Sequence, residues 1–174
     1  MDVFVEQIVK RELTTGEKVW RGVICGVSIF SATVFLVMSM MMIGLLRIVV
    51  MALAVGVIFL AYRLIKNMNI EFEYAITNGS VDIDKIVAKS KRSRLVATSC
   101  KEFESFGRYN PAEHEGKNYQ NRVVATTFSA EDRWYATFRQ SGKGFTILIF
   151  NPDQKVLDAI KRHLPVLLRR EIDG

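Results

Sequence analysis

Hydrophobic and polar positions divide this chain into three stretches with different periods. Near the start, Phe4, Val5, Ile8, Val9 and Leu13 recur three to four residues apart, with Asp2, Glu6, Gln7, Lys10 and Arg11 between them. That spacing predicts an amphipathic helix within residues 1–18, lying in the plane of a membrane surface or docked on a folded domain. From Gly22 to Tyr62 the chain is apolar, and its 41 residues carry one charge, Arg47. From residue 70 onward the period falls to two, as in half-buried strands.

A single helix of 41 residues would be roughly 60 Å long, about twice the hydrocarbon thickness of a bilayer, so the apolar run predicts two passes. A turn at Arg47 would leave the second pass short of the ~20 residues it needs. A turn within residues 39–44 gives spans of 19–38 and 45–65, with Arg47 at the outer end of the second, where its long side chain can reach the headgroups. A secretory signal peptide has an apolar core of only about 7–15 residues, and this run is far longer. Residues 19–66 therefore read as a transmembrane hairpin. Gly22 and Gly26 in the first span, and Ala52 and Gly56 in the second, are small residues four apart that let helix backbones approach. They predict packing of the two helices on each other or, alternatively, a homodimer. Met38, Met40, Met41 and Met42 have no Cys or His beside them and read as apolar filler.

In residues 67–174, Ile70, Phe72, Tyr74 and Ile76 alternate with Glu71, Glu73, Ala75 and Thr77, and Asn78-Gly79 follows as a tight-turn dipeptide. Further strands are predicted at 81–88, 93–98, 122–128, 133–139 and 145–150, with Trp134 and Phe138 in the core. Residues 101–106 read as a strand or a helical turn, and 110–121 as a polar loop. Gly142 and Gly144 mark the last turn. Asn151 as N-cap and Pro152 at the first helical position open an amphipathic helix, with Val156, Leu157, Ile160, Leu164, Leu167 and Leu168 as its apolar stripe. Pro165 should kink or restart it. The order is six or seven antiparallel strands closed by a C-terminal helix.

Two spans followed by the run EFEYAITNGSVDIDKI, residues 71–86, and the basic residues 89–94 resemble a family of bacterial membrane proteins that carry a pleckstrin-homology (PH)-like domain and have no known function. The resemblance implies an α+β fold: a transmembrane α-helical hairpin followed by a PH-like antiparallel sheet or barrel with a C-terminal helix. It implies a location, and no chemistry.

Charge refines this picture. The net charge is +6, of which residues 1–21 contribute zero and residues 22–66 contribute +3 without an acid. Lys10, Arg11, Lys18 and Arg21 before the hairpin, and Arg63 and Lys66 after it, predict cytoplasmic termini by the positive-inside rule. Lys85, Lys89, Lys91, Arg92 and Arg94 put five cations in ten residues, a candidate surface for anionic lipid or a protein partner. No stacking aromatics interleave with them, which argues against nucleic acid. Glu113-His114-Glu115 lacks the spacing of a metal site, and His163 lacks a catalytic partner. With no nucleophile, phosphate-loop or dinucleotide motif, the chain reads as a binding protein without an enzymatic activity, cofactor or metal. Its partners would be membrane lipids and a protein. An accessory role in a transporter or envelope complex, or action on a lipid as an enzyme, are the alternatives. Cys25 and Cys100 fall in different stretches and do not predict a disulfide.

Overall fold

A computed structural model describes residues 4–127, 131–140 and 142–173. The chain divides into two units, one of residues 13–69 and the other of residues 1–12 together with 70–174.

The first unit is a helical hairpin, α1 (Thr15–Met41) and α2 (Leu45–Asn67), both long and apolar enough to cross a membrane. The sequence explains both of its ends. Thr14 and Glu17 form a reciprocal capping box at the start of α1, with Glu17 N–H donating to Thr14 Oγ1 at 3.3 Å and Thr14 N–H to Glu17 Oε2 at 2.9 Å. Gly44 takes a positive φ of 61° at the turn, a conformation that costs glycine little. The packing seam departs from expectation. A methyl group built on Gly22, Gly26 or Gly56 would touch nothing within 4 Å, and Ala52 is exposed, so these four residues lie off the α1–α2 contact. Ala32 and Ser39 of α1 and Ala54 and Ala61 of α2 are the buried small residues instead. Ser39 Oγ donates to Leu36 O at 2.7 Å and Ser28 Oγ to Cys25 O at 2.9 Å, which satisfies both hydroxyls within their own helix.

The second unit contains two four-stranded sheets. β1 (Phe4–Lys10), β2 (Ile70–Thr77), β3 (Ser80–Val87) and β4 (Lys91–Ser99) form an antiparallel meander in that order. β1 corrects the helix predicted within residues 1–18. The apolar pairs Phe4-Val5 and Ile8-Val9 satisfy a period of two as well as one of four, and the open edge of β2 decides between them. Seven residue pairs, from Phe4 with Thr77 to Lys10 with Glu71, join β1 to β2. The helical hairpin is therefore inserted into the connection between two paired strands.

The other sheet has the order β5–β7–β8–β6, from β5 (Ser105–Arg108), β6 (Asn121–Ala125), β7 (Trp134–Gln140) and β8 (Gly144–Phe150). β6 runs parallel to β8, where an all-antiparallel domain was expected. A 3₁₀ turn, Cys100–Glu102, precedes β5, so residues 101–106 contain both a helical turn and a strand. The polar loop holds a one-turn helix, α3 (Pro111–His114). β6 ends at Ala125, and Phe128, the predicted end of that strand, lies outside the described residues.

Two helices follow, α4 (Gln154–His163) and α5 (Val166–Asp173). Leu164 is extended (φ −64°, ψ 151°), as the residue before Pro165 must be, so the helix restarts there. The N-cap is Asp153, whose carboxylate accepts from Val156 N–H at 2.8 Å, two residues later than the expected Asn151. Leu167 is exposed, while the rest of the predicted stripe is buried. The core between the sheets contains Phe72, Tyr74, Ile76, Phe103, Phe106, Trp134, Phe138 and Phe150, closed by Val156, Leu157 and Ile160 of α4. Buried in this core, Cys100 has its thiol pKa pushed up to about 12 by loss of water, so it stays protonated.

At the β2–β3 turn, Asn78 (φ 49°) and Gly79 (φ 86°) both lie in the left-handed region that Asn-Gly tolerates. A Cβ on Gly79 would also sit 3.0 Å from the His163 ring. Gly79→Ala is expected to destabilise the second unit by about 1 kcal/mol or more. Urea denaturation of the full chain in detergent would show it, and an unchanged midpoint would remove this account of the turn.

Candidate functional site

The basic cluster read from the sequence is divided by the pleat of the sheet. Lys89 occupies the β3–β4 turn, where it and Ala88 have positive φ values of 57° and 55°. Lys91 opens β4 as an exposed residue, whereas Arg92 and Arg94 turn onto the outer face of the first sheet. There Arg92 pairs with Glu73, and its Nε lies 3.8 Å from Asp84 Oδ2. Arg94 Nε donates to Asp84 Oδ1 at 3.1 Å, and its Nη1 lies 3.3 Å from Asp82. The hydrogen bond to Asp84, and then the charges of Asp82 and Asp84, raise the Arg94 pKa further above its ordinary value. Glu73 and Asp84 are only 8% and 5% exposed, so their charges depend on these partners. Glu6 joins them along a groove of about 400 Å³. Four carboxylates face two guanidiniums in it, which makes this face net acidic.

A second concavity lies inside the same unit, between the two sheets, with a volume of about 450 Å³. Ile70 and Phe72 of β2, Leu95 of β4, and Val123 and Val124 of β6 supply its apolar lining. Arg11, Lys85, Arg94, Arg122 and Lys143 supply five basic side chains, and among the described residues no acidic side chain lines it. The opening has a structural cause. β4 is the edge of one sheet and β6 the edge of the other, and among the described residues the two do not pair. Beside the opening, Tyr74 of β2 fastens the sheets together. Its hydroxyl donates to Ala125 O of β6 and accepts from Asn151 N–H at 3.3 Å. Burial raises the Tyr74 pKa far above the ordinary phenol value, so the hydroxyl keeps the proton it donates. Two of the cations use neutral acceptors. Arg122 Nη2 donates to Tyr109 Oη at 3.1 Å, and Lys143 Nζ to Leu95 O at 3.4 Å across the two sheets.

Only Lys85 and Arg94 of this cleft belong to the cluster read from the sequence. Arg11, Arg122 and Lys143 come from three other segments, and only the pairing of the strands brings them together. Arg122 and Lys143 stand alone in the sequence, and Arg11, beside Lys10, reads there only as part of the basic flank of the hairpin.

Among the described residues, those of Glu113-His114-Glu115 included, no group of three His, Cys, Asp or Glu side chains is placed to hold a metal ion. His114 is instead 4% exposed and enclosed by tyrosines. It stacks on Tyr109 (5.3 Å, 17°), meets Tyr135 edge-on (4.2 Å, 67°), and its Nδ1 lies 2.7 Å from Tyr119 Oη. Burial, aided by the nearby charge of Lys117, lowers its pKa below the ordinary 6.5. His163 packs over Gly79 and hydrogen-bonds its own helix through Ala159 O at 2.9 Å.

A family model described as a bacterial PH-like domain (DUF6106) matches residues 1–169, a stretch that includes the helical hairpin as well as both sheets. No curated protein and no solved structure matches the chain.

Two outcomes follow from these contacts. Replacing Arg92 and Arg94 together by Met is expected to cost about 1–3 kcal/mol, because Glu73 and Asp84 lose the groups that compensate their charge. The pair Lys89→Ala and Lys91→Ala is expected to stay within about 0.5 kcal/mol of the parent. Equal urea midpoints for the two double variants would contradict the ion-pair assignment. For His114, the folded state favours the neutral ring, so the unfolded chain binds more protons near and below pH 6.5. Stability should be full above that pH and fall as pH drops through the depressed folded value. Denaturation midpoints between about pH 8 and about pH 5 would reveal the slope, and His114→Phe should flatten it.

Proposed function

We propose that this chain, which belongs to the family of bacterial PH-like domains (DUF6106), is a membrane-anchored binding module without catalytic activity of its own. In this reading the hairpin crosses the membrane twice, and the PH-like unit binds its ligand or protein partner at the cytoplasmic face. The observation that carries it is the pairing of β1 with β2 on either side of the hairpin. Strands paired along seven residues must lie on one side of a bilayer, so an even number of crossings between them is required. The two helices long and apolar enough to cross a membrane support that number. Lys10, Arg11, Lys18 and Arg21 before them, and Arg63 and Lys66 after them, favour the cytoplasm for that side, with Arg47 alone near the far turn.

The acidic outer face of the first sheet bears on what is bound. With Arg92 and Arg94 engaged by carboxylates, the residues that favoured a flat lipid-surface contact are reduced to Lys89 and Lys91 at the β3–β4 turn. The inter-sheet cleft is the better candidate for ligand recognition. A second reading, an accessory subunit of a transporter or envelope complex, is supported by the outward position of Gly22, Gly26, Ala52 and Gly56. Small residues there leave room for the backbone of a partner helix, or of a second copy of this chain.

Reporter fusions at Gly44 and at the C terminus test the anchoring. The expected result is an extracytoplasmic Gly44 and a cytoplasmic C terminus, in a protein that stays with the membrane in alkaline carbonate. A C terminus outside the cytoplasm, or release by carbonate, would reject it. Cysteine crosslinking from positions 26 and 56 separates the two readings, since an accessory subunit should give adducts with other membrane proteins.

A further inference from the structure

The geometry points to the inter-sheet cleft as a binding site for an organic phosphate, meaning a phosphoryl group carried on a body with an apolar face. The first ground is charge. Among the described residues five basic side chains and no acidic one line the cleft, although the same sheet carries Asp82 and Asp84 on its opposite face. Arg94 commits its guanidinium to those carboxylates, which leaves Lys85, Arg122 and Lys143 as the groups best placed to meet an anion. Among the described residues, Arg122 donates to a phenol and Lys143 to a backbone carbonyl. Neither contact is an ion pair, so a phosphoryl group would bring each cation the opposite charge that its present acceptor lacks. Arginine also offers the forked donors that match phosphate oxygens.

Size and lining give the second ground. About 450 Å³ falls within the roughly 300–1,000 Å³ of small-molecule sites and far exceeds a lone phosphate ion. Phe72, Leu95 and Val123 offer an apolar wall, so an inorganic ion would leave that surface wet, whereas an organic body would cover it. Two sources share this chemistry: a soluble phosphorylated metabolite and a phospholipid headgroup. The inference rests on the reading of the chain as a binding module, and it holds whichever way the hairpin is oriented.

The test uses the full chain purified in a non-ionic detergent and isothermal titration calorimetry with two probes. One is 1-naphthyl phosphate, a soluble phosphomonoester. The other is dihexanoyl phosphatidic acid below its micelle concentration. Saturable binding of either supports the site: the naphthyl ester alone identifies a soluble ligand, the lipid alone a headgroup, and both the shared phosphomonoester chemistry. Lys85→Ala, Arg122→Ala and Lys143→Ala should each weaken binding about tenfold or more, with unchanged far-ultraviolet circular dichroism. The Lys89→Ala/Lys91→Ala variant, equal or greater in charge lost but outside the cleft, should stay within about twofold. The inference is overturned if neither probe binds, if the cleft and turn variants weaken binding equally, or if inorganic phosphate binds as tightly as the esters. Because the reporter fusions read topology alone, a failure of the anchoring and a failure of the cleft remain distinguishable.

Discussion

The pairing of β1 with β2 is the constraint on which the rest of the chain depends. About 60 residues separate Lys10 from Glu71, yet the two sit opposite each other in one antiparallel ladder. A flexible loop of that length would have to be closed at an entropic cost. Two antiparallel helices joined by a three-residue turn reduce this cost, because they return the chain to its starting point when they pack. Ala32, Ser39, Ala54 and Ala61 therefore support the sheet indirectly, by holding the ends of its longest connection together. The ladder has the reciprocal effect. Arg11 N–H donates to Ile70 O at 2.9 Å immediately beyond the last strand pair, which fixes where the chain leaves the sheet and where it returns.

The pleat of the first sheet then sorts the charges. Along β3, Val81 and Ile83 enter the core while Asp82 and Asp84 face outward, and a register shift after Ile83 brings Arg94 opposite Asp84. Consecutive residues consequently belong to different electrostatic surroundings. Asp84 lies among guanidiniums on the outer face, and Lys85, its neighbour, lines the cationic cleft. The ladder on the outer face stabilises carboxylates that are almost without water. The cleft holds Arg122 and Lys143 against neutral acceptors, with no carboxylate from the described residues in its lining.

That sorting explains how far the sequence could be read. The hairpin, the Asn78-Gly79 turn, the alternation of β2 and the restart at Pro165 are local properties, carried by neighbouring residues through period or backbone preference. β1 was not legible because Phe4-Val5 and Ile8-Val9 fit two periods, and only the unpaired edge of β2, 60 residues away, resolves them. The small pairs at Gly22 and Gly26 and at Ala52 and Gly56 have the right spacing for close helix approach, but spacing does not say which face of a helix meets its partner. In the cluster from Lys85 to Arg94, the excess of cations was visible while their division by the pleat was not. The cleft was the least legible feature, since Arg11, Arg122 and Lys143 share no local pattern.

Stability and the open cleft are compatible because they draw on different parts of the same interface. Tyr74 joins β2 to β6 through Ala125 O and reaches Asn151 N–H, and its ring meets Phe150 edge-on at 5.7 Å. With the aromatic cluster of Phe103, Phe106, Trp134 and Phe138, this packs the two sheets on one buried core. The edges of β4 and β6 can then remain apart while Phe103, Phe106, Trp134 and Phe138 stay buried. Cations gathered at such an opening repel one another, and Lys85, Arg122 and Lys143 would be more stable beside an anion. The Arg92 and Arg94 pairs show that this sheet can provide a carboxylate. A cleft that keeps Lys85, Arg122 and Lys143 away from those carboxylates is electrostatically incomplete, and an anion from outside the chain is what would complete it.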